Sequence, residues 1–388
     1  MDFTLSPEHV ALRRMIREVV ENEIAPIAAE IDREHRVPME TMHKLGELGL
    51  LGVCFPQKYG GMGAGEMGYA ILLEELGRVC ASTAACVGAH IGISAMAIHL
   101  DGNSEQKEKY LTPLARGEKF GAFGLTESGA GSDAAAVRTR AVREGDSWIL
   151  DGGKVFITNG GYADIIIVMA ATDPSLGARG GITAFIVETD WEGFSVAREE
   201  DKMGIRGTST AELVFEGLRV PQENVLGKVG EGFIPFMKSL DMGRLTLGAA
   251  CAGGAQASLE ECIRWAKTRK QFGRELAHKQ SVQWMIANMA TEIEALRSMV
   301  YRVAWLVDTD QPFGQLAAMC KLYGSEVASR AVDAAVQIHG GLGLTRDYPL
   351  ERAFRDSRIN EIFEGTSEVQ RIVIASNLFR EHGVRVRP

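Results

Sequence analysis

The segment "AVREGDSWILDGGKVFIT", Ala141–Thr158, decides the plan of this chain. Its β-branched and aromatic residues alternate with polar ones, and Gly145-Asp146 and Asp151-Gly152 supply turn chemistry. It therefore predicts strand, turn, strand, turn, strand. Beyond it, "DIIIVMAAT" (164–172) and "GITAFIVE" (181–188) are short β-branched runs bounded by Gly, Asp and Pro. This texture extends over 117–228, which reads as a β-domain.

Helical periodicity occupies both flanks. Across 1–116, Leu12, Ile16, Val20, Ile24, Ile27 and Ile31 recur at three- and four-residue steps, one face of a helix. Further helical runs are predicted at 40–49, 67–79, 82–100 and 104–115, punctuated by Gly49, "PQKYGGMGAG" and "DGNS". Across 229–388 the helices lengthen. Val282, Ile286, Met289, Ile293, Leu296, Val300, Val303 and Val307 alternate steps of four and three, the rhythm of a helix packed lengthwise in a bundle. A second long run covers 314–338, and a last helix follows 367. The expected fold is α+β and multi-domain: an N-terminal helical domain, a middle β-domain and a C-terminal helical bundle.

Composition excludes several functions. A net charge of −9 argues against a nucleic-acid surface. The N-terminus "MDFTLSPEHV" has no apolar core flanked by basic residues, and runs such as "IIIVMAA" are too short to cross a bilayer. The six cysteines, at 54, 80, 86, 251, 262 and 320, show no C-x-x-C pairing and read as reduced core residues. A cytoplasmic protein is expected, or a mitochondrial-matrix one if processed. The scattered histidines give no metal-ligand spacing, so no metal is expected. "GAGEMG" (63–68) matches the dinucleotide fingerprint G-x-G-x-x-G. The only candidate strand before it, "LLGVCF", is cut off by Pro56, and no acidic residue lies between Glu75 and Asp101. It reads as a glycine-rich loop before a helix.

Five segments remain as candidates for chemistry. "FGLTESGAGSD" (123–133) leaves a β-run for a glycine-rich loop whose N–H groups and hydroxyls can cradle an anion or a flat heterocycle; taken alone it reads as a polar turn at a strand end. "KVFITNGG" (154–161) is an aromatic-bearing strand ending in a turn. "TRKQFGR" (268–274) closes a helix with Gly273 as its C′ residue, and Arg269 either complements the helix dipole or holds a phosphate. "QIHGGLG" (337–343) is a helix C-cap or a close backbone approach to a ligand. In "INEIFEGTSEVQR" (359–371), Ser367 and Gln370 suggest a capping box, with Glu364 just outside it. A single glutamate is by default a surface residue. Here Ile362, Phe363 and Val369 favour a dry setting, which would raise the carboxyl pKa and make the anion a stronger base.

Together, "LTESGAGSD", "FITNGG", "LDMGR", "TRKQFG", "QIHGGLG" and "EGTSEVQR", in this order and spacing, resemble the acyl-CoA dehydrogenases, flavoproteins that introduce an α,β double bond into acyl-CoA thioesters. The resemblance spans about residue 3 to 380 and implies FAD as cofactor. Phe123, Leu125, Thr126, Gly131 and Ser132 would line the flavin, and Ser132 would also touch the acyl-CoA. Phe156, Ile157 and Thr158 would flank the isoalloxazine, Phe156 standing where the family often has Trp. Arg269, Gln271, Gln337, Gly340 and Gly341 would meet the FAD of a neighbouring subunit, which implies a homo-oligomer, usually a tetramer built as a dimer of dimers; Phe272 and Gln280 would also bind FAD. Thr366 and Glu368 would complete the FAD site. Asp241, Met242, Gly243, Arg244 and Gly365 would lie along the substrate.

Glu364 matches the catalytic base. In the isovaleryl and long-chain branches the base stands at the position of Gly243, and glycine cannot remove a proton. The α-C–H of a thioester is a weak acid, so its oxygen must be polarised, which the family does with the N–H of the residue matching Glu364 and a ribityl hydroxyl. The resemblance then implies α-proton transfer to Glu364, hydride transfer from Cβ to flavin N5, and electron delivery to an electron-transferring flavoprotein. "EDKMGIRGTSTAELVFE" and "LDMGR" look most like the short-chain branch, so a short or medium acyl chain, straight, branched or cyclic, is expected. No Arg or Lys lies in 79–100 to meet a dicarboxyl substrate. The rivals are an acyl-CoA oxidase, which shares the site but reduces oxygen, and a non-catalytic DNA-binding or scaffold relative of the fold, against which Glu364 and the acidic balance speak.

Overall fold

The computed structural model describes residues 4–384 and Val386; Met1–Phe3, Arg385, Arg387 and Pro388, at the outer ends of the first and third runs, lie outside the described residues. Helices, sheet and helices follow in the expected order. Helix α1 (Pro7–Val19) begins at Ser6, whose hydroxyl accepts from His9 N at 3.3 Å. The apolar stripe Leu12, Ile16, Val20, Ile24 and Ile31 is buried. It does not form one helix, because a wide π-type turn at Val20–Ile24 and a 3₁₀ turn at Ala25–Ile27 intervene. Pro26 lacks the N–H that a continuous α-helix needs. Helix α2 (Gly65–Val79) opens directly from the "GAGEMG" loop, with 3₁₀ turns and no strand before it.

Ala81–Asp101 is a single helical run containing a wide turn at Ala89–Ala95. It amends the reading that apolar runs are too short: among the described residues it alone is long and apolar enough to cross a membrane. Ser82, Thr83, His90 and Ser94 hide that length in the sequence, but helical continuity joins the pieces. Of its most apolar window, 78% is buried inside the protein, so its apolarity serves the core.

The strands are β1 (Gly121–Gly124), β2 (Arg140–Glu144), β3 (Ser147–Thr158), β4 (Ile165–Ala171), β5 (Ile182–Glu188), β6 (Phe194–Glu199), β7 (Thr210–Pro221) and β8 (Val225–Leu226). They order as β6-β7-β3-β2-β4-β5-β8, with β1 pairing parallel to β4. Gly145-Asp146 forms the expected hairpin turn, Gly145 at φ 63°. Asp151-Gly152 does not. Strand β3 runs straight through it with a register shift against β7 between Leu150 and Gly152, a bulge that Gly152 accommodates at φ 139°. Strand β4 is buried on both faces: Ile165, Ile167 and Met169 join the helical core, whereas Ile166, Val168 and Ala170 join a second core inside the β-domain.

The C-terminal bundle consists of α3 (Phe233–Thr268), α4 (Gln280–Asp308), α5 (Gly314–His339) and, after a 3₁₀-rich connection, α6 (Ser367–Glu381). Helix α3 crosses α2 at backbone distance, since a Cβ at Gly253 would stand 1.9 Å from Glu74 O and one at Gly77 2.3 Å from Ala250 O. That approach locks the N-terminal helices to the bundle. The helix predicted to close at Gly273 ends instead at Thr268. Lys270-Gln271 and Arg274-Glu275 then pair as a small hairpin whose central residues, Phe272 and Gly273, both take positive φ, 52° and 75°. Gly273 is thus a hairpin residue, not a C′ residue.

Candidate active site

A cavity of about 2370 Å³ opens where sheet and bundle meet. It is lined by the end of β1 and its loop (Phe123, Leu125, Thr126, Gly131, Ser132), the end of β3 (Phe156, Ile157, Thr158), Asp241 and Arg244 of α3, and Glu364, Gly365 and Thr366. This brings together residues more than 200 positions apart in the chain. The volume is more than twice the roughly 1,000 Å³ upper range for one small ligand.

The loop after β1 is held from beneath. The buried Lys154 ammonium donates to Leu125 O at 3.1 Å and to Glu127 Oε1 at 2.7 Å. Glu127 accepts in addition from Arg138 N, Thr139 N and Thr139 Oγ1. Burial pushes Lys154 down to about 8, opposed by Glu127. Burial pushes Glu127 up, but the Lys154 charge and the hydrogen bonds outweigh it, leaving it below the usual carboxylate range. The pair keeps Thr126 and its neighbours at the rim. Phe156 holds φ 59° and is 63% exposed, so its ring is presented to the cavity wall rather than packed.

Glu364 is the unusual group. It takes φ 53°, a left-handed conformation that costs a non-glycine residue of order 1 kcal/mol. Gly365 follows at φ 89°. The turn is fixed by its carbonyls: Gln370 Nε2 donates to Glu364 O and Gly365 O at 3.1 Å each, and Lys321 Nζ donates to Gly365 O at 2.7 Å. The capping-box expectation is therefore corrected. Thr366, not Ser367, caps α6 by accepting from Val369 N at 3.3 Å, and Gln370 is turned inward to the carbonyls. Glu364 Oε2 is buried with no hydrogen-bond partner. Burial pushes its carboxyl up to about 7, against the opposing charges of Lys321 and Arg244. The Glu364 N–H donates to no backbone acceptor among the described residues. A Cβ at Gly243 would stand 2.8 Å from Glu364 Oε2, so the bare α3 backbone makes the seat for this carboxylate.

Other candidate residues lie elsewhere. Met242 turns into the core and Glu368 is exposed, neither lining the cavity. Arg269, Gln271, Phe272, Gln280, Gln337, Gly340 and Gly341 are exposed and outside the cavity of this chain, Phe272 at 95%. Sequence reading missed the Lys154–Glu127 pair and Lys321, and gave Gln370 a capping role in place of its contacts to the turn. A signal existed for Lys321, which falls on the helical face of Ala317, Gly324 and Ala328, a core face where a lysine is out of place.

The fold and the site define a class: a helix–sheet–helix chain whose dry, unpartnered carboxyl faces a large cavity between sheet and bundle. Family models described as the acyl-CoA dehydrogenase N-terminal, middle and C-terminal domains match residues 6–118, 122–218 and 230–379. The chain belongs to the acyl-CoA dehydrogenase family, FAD flavoproteins and oxidoreductases acting on CH–CH bonds. It is 48% identical over 380 residues to the short-chain specific acyl-CoA dehydrogenase of Clostridium acetobutylicum, covering 98% of this chain and 100% of that one. The butyryl-CoA dehydrogenase structure from Megasphaera elsdenii matches with TM-score 0.96 at 42% identity, over 98% of this chain and 100% of that chain. A chain in the structure reported for the electron transferring flavoprotein of Acidaminococcus fermentans matches with TM-score 0.96 at 45% identity, over the same shares of each chain.

Proposed function

We propose that this protein dehydrogenates a short straight-chain acyl-CoA between Cα and Cβ, with Glu364 as the base and an electron-transferring flavoprotein as acceptor. The observation that carries the reading is Glu364 Oε2, buried and unpartnered at the cavity wall. The chain-length preference and the acceptor rest on the similarity to the short-chain and butyryl-CoA enzymes and to the chain from the Acidaminococcus structure. The residues present suit FAD: a large cavity, a presented Phe156 ring, rim hydroxyls at Thr126, Ser132 and Thr158, and a Gly131 with open space around it. When bound, FAD supplies the hydride acceptor that no side chain can provide.

The chain's own residues supply the rest. Glu364 takes the α-proton, and its desolvation makes the anion a stronger base than a surface carboxylate. Its N–H, without a backbone acceptor among the described residues, would donate to the thioester oxygen and stabilise the developing enolate. Asp241 and Arg244, paired at 2.6 Å, border the substrate side. Anaerobic bleaching of bound flavin by acyl-CoAs of graded length and branching tests the reading; bleaching strongest near four carbons is expected, and none with any acyl-CoA contradicts it. Peroxide yield against reduction of an electron-transferring flavoprotein separates the oxidase alternative.

The pH dependence has a defined sign. Glu364 must be ionised to act, and its carboxyl is raised to about 7. The rate of flavin reduction should therefore rise with pH through about 7 and level off above it. A flat profile between pH 5.5 and 8.5 would contradict Glu364 as the base.

We infer that Arg269, Gln271, Phe272, Gln280, Gln337, Gly340 and Gly341 reach the FAD of a neighbouring subunit, in a tetramer built from dimers. Phe272→Asp, at a hairpin tip exposed in the single chain, should lower both FAD content and sedimentation coefficient. A variant that keeps both at native values would count against subunit sharing.

A further inference from the structure

Lys321 stands in the middle of α5 with no accessible surface, and it has no carboxylate hydrogen-bonded to it. A buried ammonium without such a partner is costly, and one is retained here at a specific atom, the carbonyl of Gly365. That carbonyl belongs to the left-handed turn that carries Glu364. We propose that Lys321 is a positioning residue of the reaction: its ammonium clamps the Glu364–Gly365 turn, and its charge supports the ionised form of the base. The inference rests on the dehydrogenase reading above but can fail without it.

The surroundings leave Lys321 the leading cation for this task. Glu364 is faced by Lys321 from α5, by Arg244 and Cys251 from α3, by Tyr69 from α2, and Glu361 lies nearby on its own segment. Arg244 is already engaged by Asp241. Burial pushes Tyr69 well above its ordinary range and Cys251 up to about 12, so neither changes charge near neutrality. Glu361 accepts from Ser329 and Arg358, so its charge is engaged elsewhere. Burial drives Glu364 up to about 7 and Lys321 down to about 8, and the charge of each opposes the shift of the other. Gln370 also donates to Gly365 O, but as a neutral amide. It shares the clamp without the charge.

Two variants separate these roles. Lys321→Gln keeps a donor and loses the charge; Lys321→Met loses both. The readout is the C=O stretch of protonated Glu364, taken by infrared difference against Glu364→Gln forms of the same proteins from pH 5 to 10, alongside anaerobic flavin reduction by butyryl-CoA. In both variants the carboxyl midpoint should rise by about one pH unit or more, since an adjacent opposite charge is worth about that much. Reduction at pH 7 should fall about fivefold for a one-unit shift. At pH 9.5, Lys321→Gln should approach the native rate and Lys321→Met should remain below it. Midpoints unmoved in both variants overturn the proposal. If the native protein is bleached by no acyl-CoA, the dehydrogenase reading falls, while the infrared titration still decides the role of Lys321.

Discussion

Glu364→Gln should lower the rate of flavin reduction by about 10³-fold or more, roughly 4 kcal/mol in the barrier, with FAD content and acyl-CoA binding near native. The substitution is nearly isosteric, and Oε2 makes no hydrogen bond in the protein that the amide would break. The φ of 53° and the carbonyl contacts of Gln370 and Lys321 belong to the backbone, so the turn survives. What is lost is a proton acceptor at a cavity position where a carboxylate is both dry and without a hydrogen-bond partner. Stopped-flow reduction with butyryl-CoA, together with flavin absorbance of the isolated variant, measures both halves. A near-native rate would mean that another group takes the proton.

Gly243→Ala should lower the same rate by about 10²-fold, roughly 2.7 kcal/mol, through displacement alone. The added methyl would stand 2.8 Å from Glu364 Oε2 and 3.2 Å from its Cδ. The carboxylate is the mobile end of a side chain, so it yields and moves off its seat rather than straining the bundle. Alanine is also worth about 0.5–1 kcal/mol more than glycine within a helix. Thermal stability should therefore be unchanged or slightly raised while activity falls. That split distinguishes a misplaced base from a damaged fold, and a melting temperature falling in step with activity would refute it. The position also shows why Gly243 and Glu364 make a complementary pair: one site vacates the space the other fills.

Much of the fold was legible because it rests on local periodicity. The four- and three-residue steps of Val282–Val307 and the β-branched runs of β4 and β5 need no tertiary information to read. Errors fell where neighbours decide. Asp151-Gly152 has turn chemistry, but pairing with β7 on one side and β2 on the other draws it into a bulge. "TRKQFG" carries a helix-end signature, yet the chain forms a hairpin with two positive-φ residues. Ser367 and Gln370 fit a capping box, but Gln370 finds stronger use bracing the carbonyls of Glu364 and Gly365.

The sequence alone determined the helix–sheet–helix order and pointed to one carboxylate beside a glycine, since motif order and side-chain periodicity are properties of the chain itself. Only the tertiary structure decided that this carboxylate is dry, that a bare stretch of α3 seats it, and that a lysine from α5 reaches the turn beneath it. Desolvation and charge pairing depend on which groups folding brings within a few ångströms, and Gly243, Lys321 and Glu364 are separated in the chain by 43 residues or more.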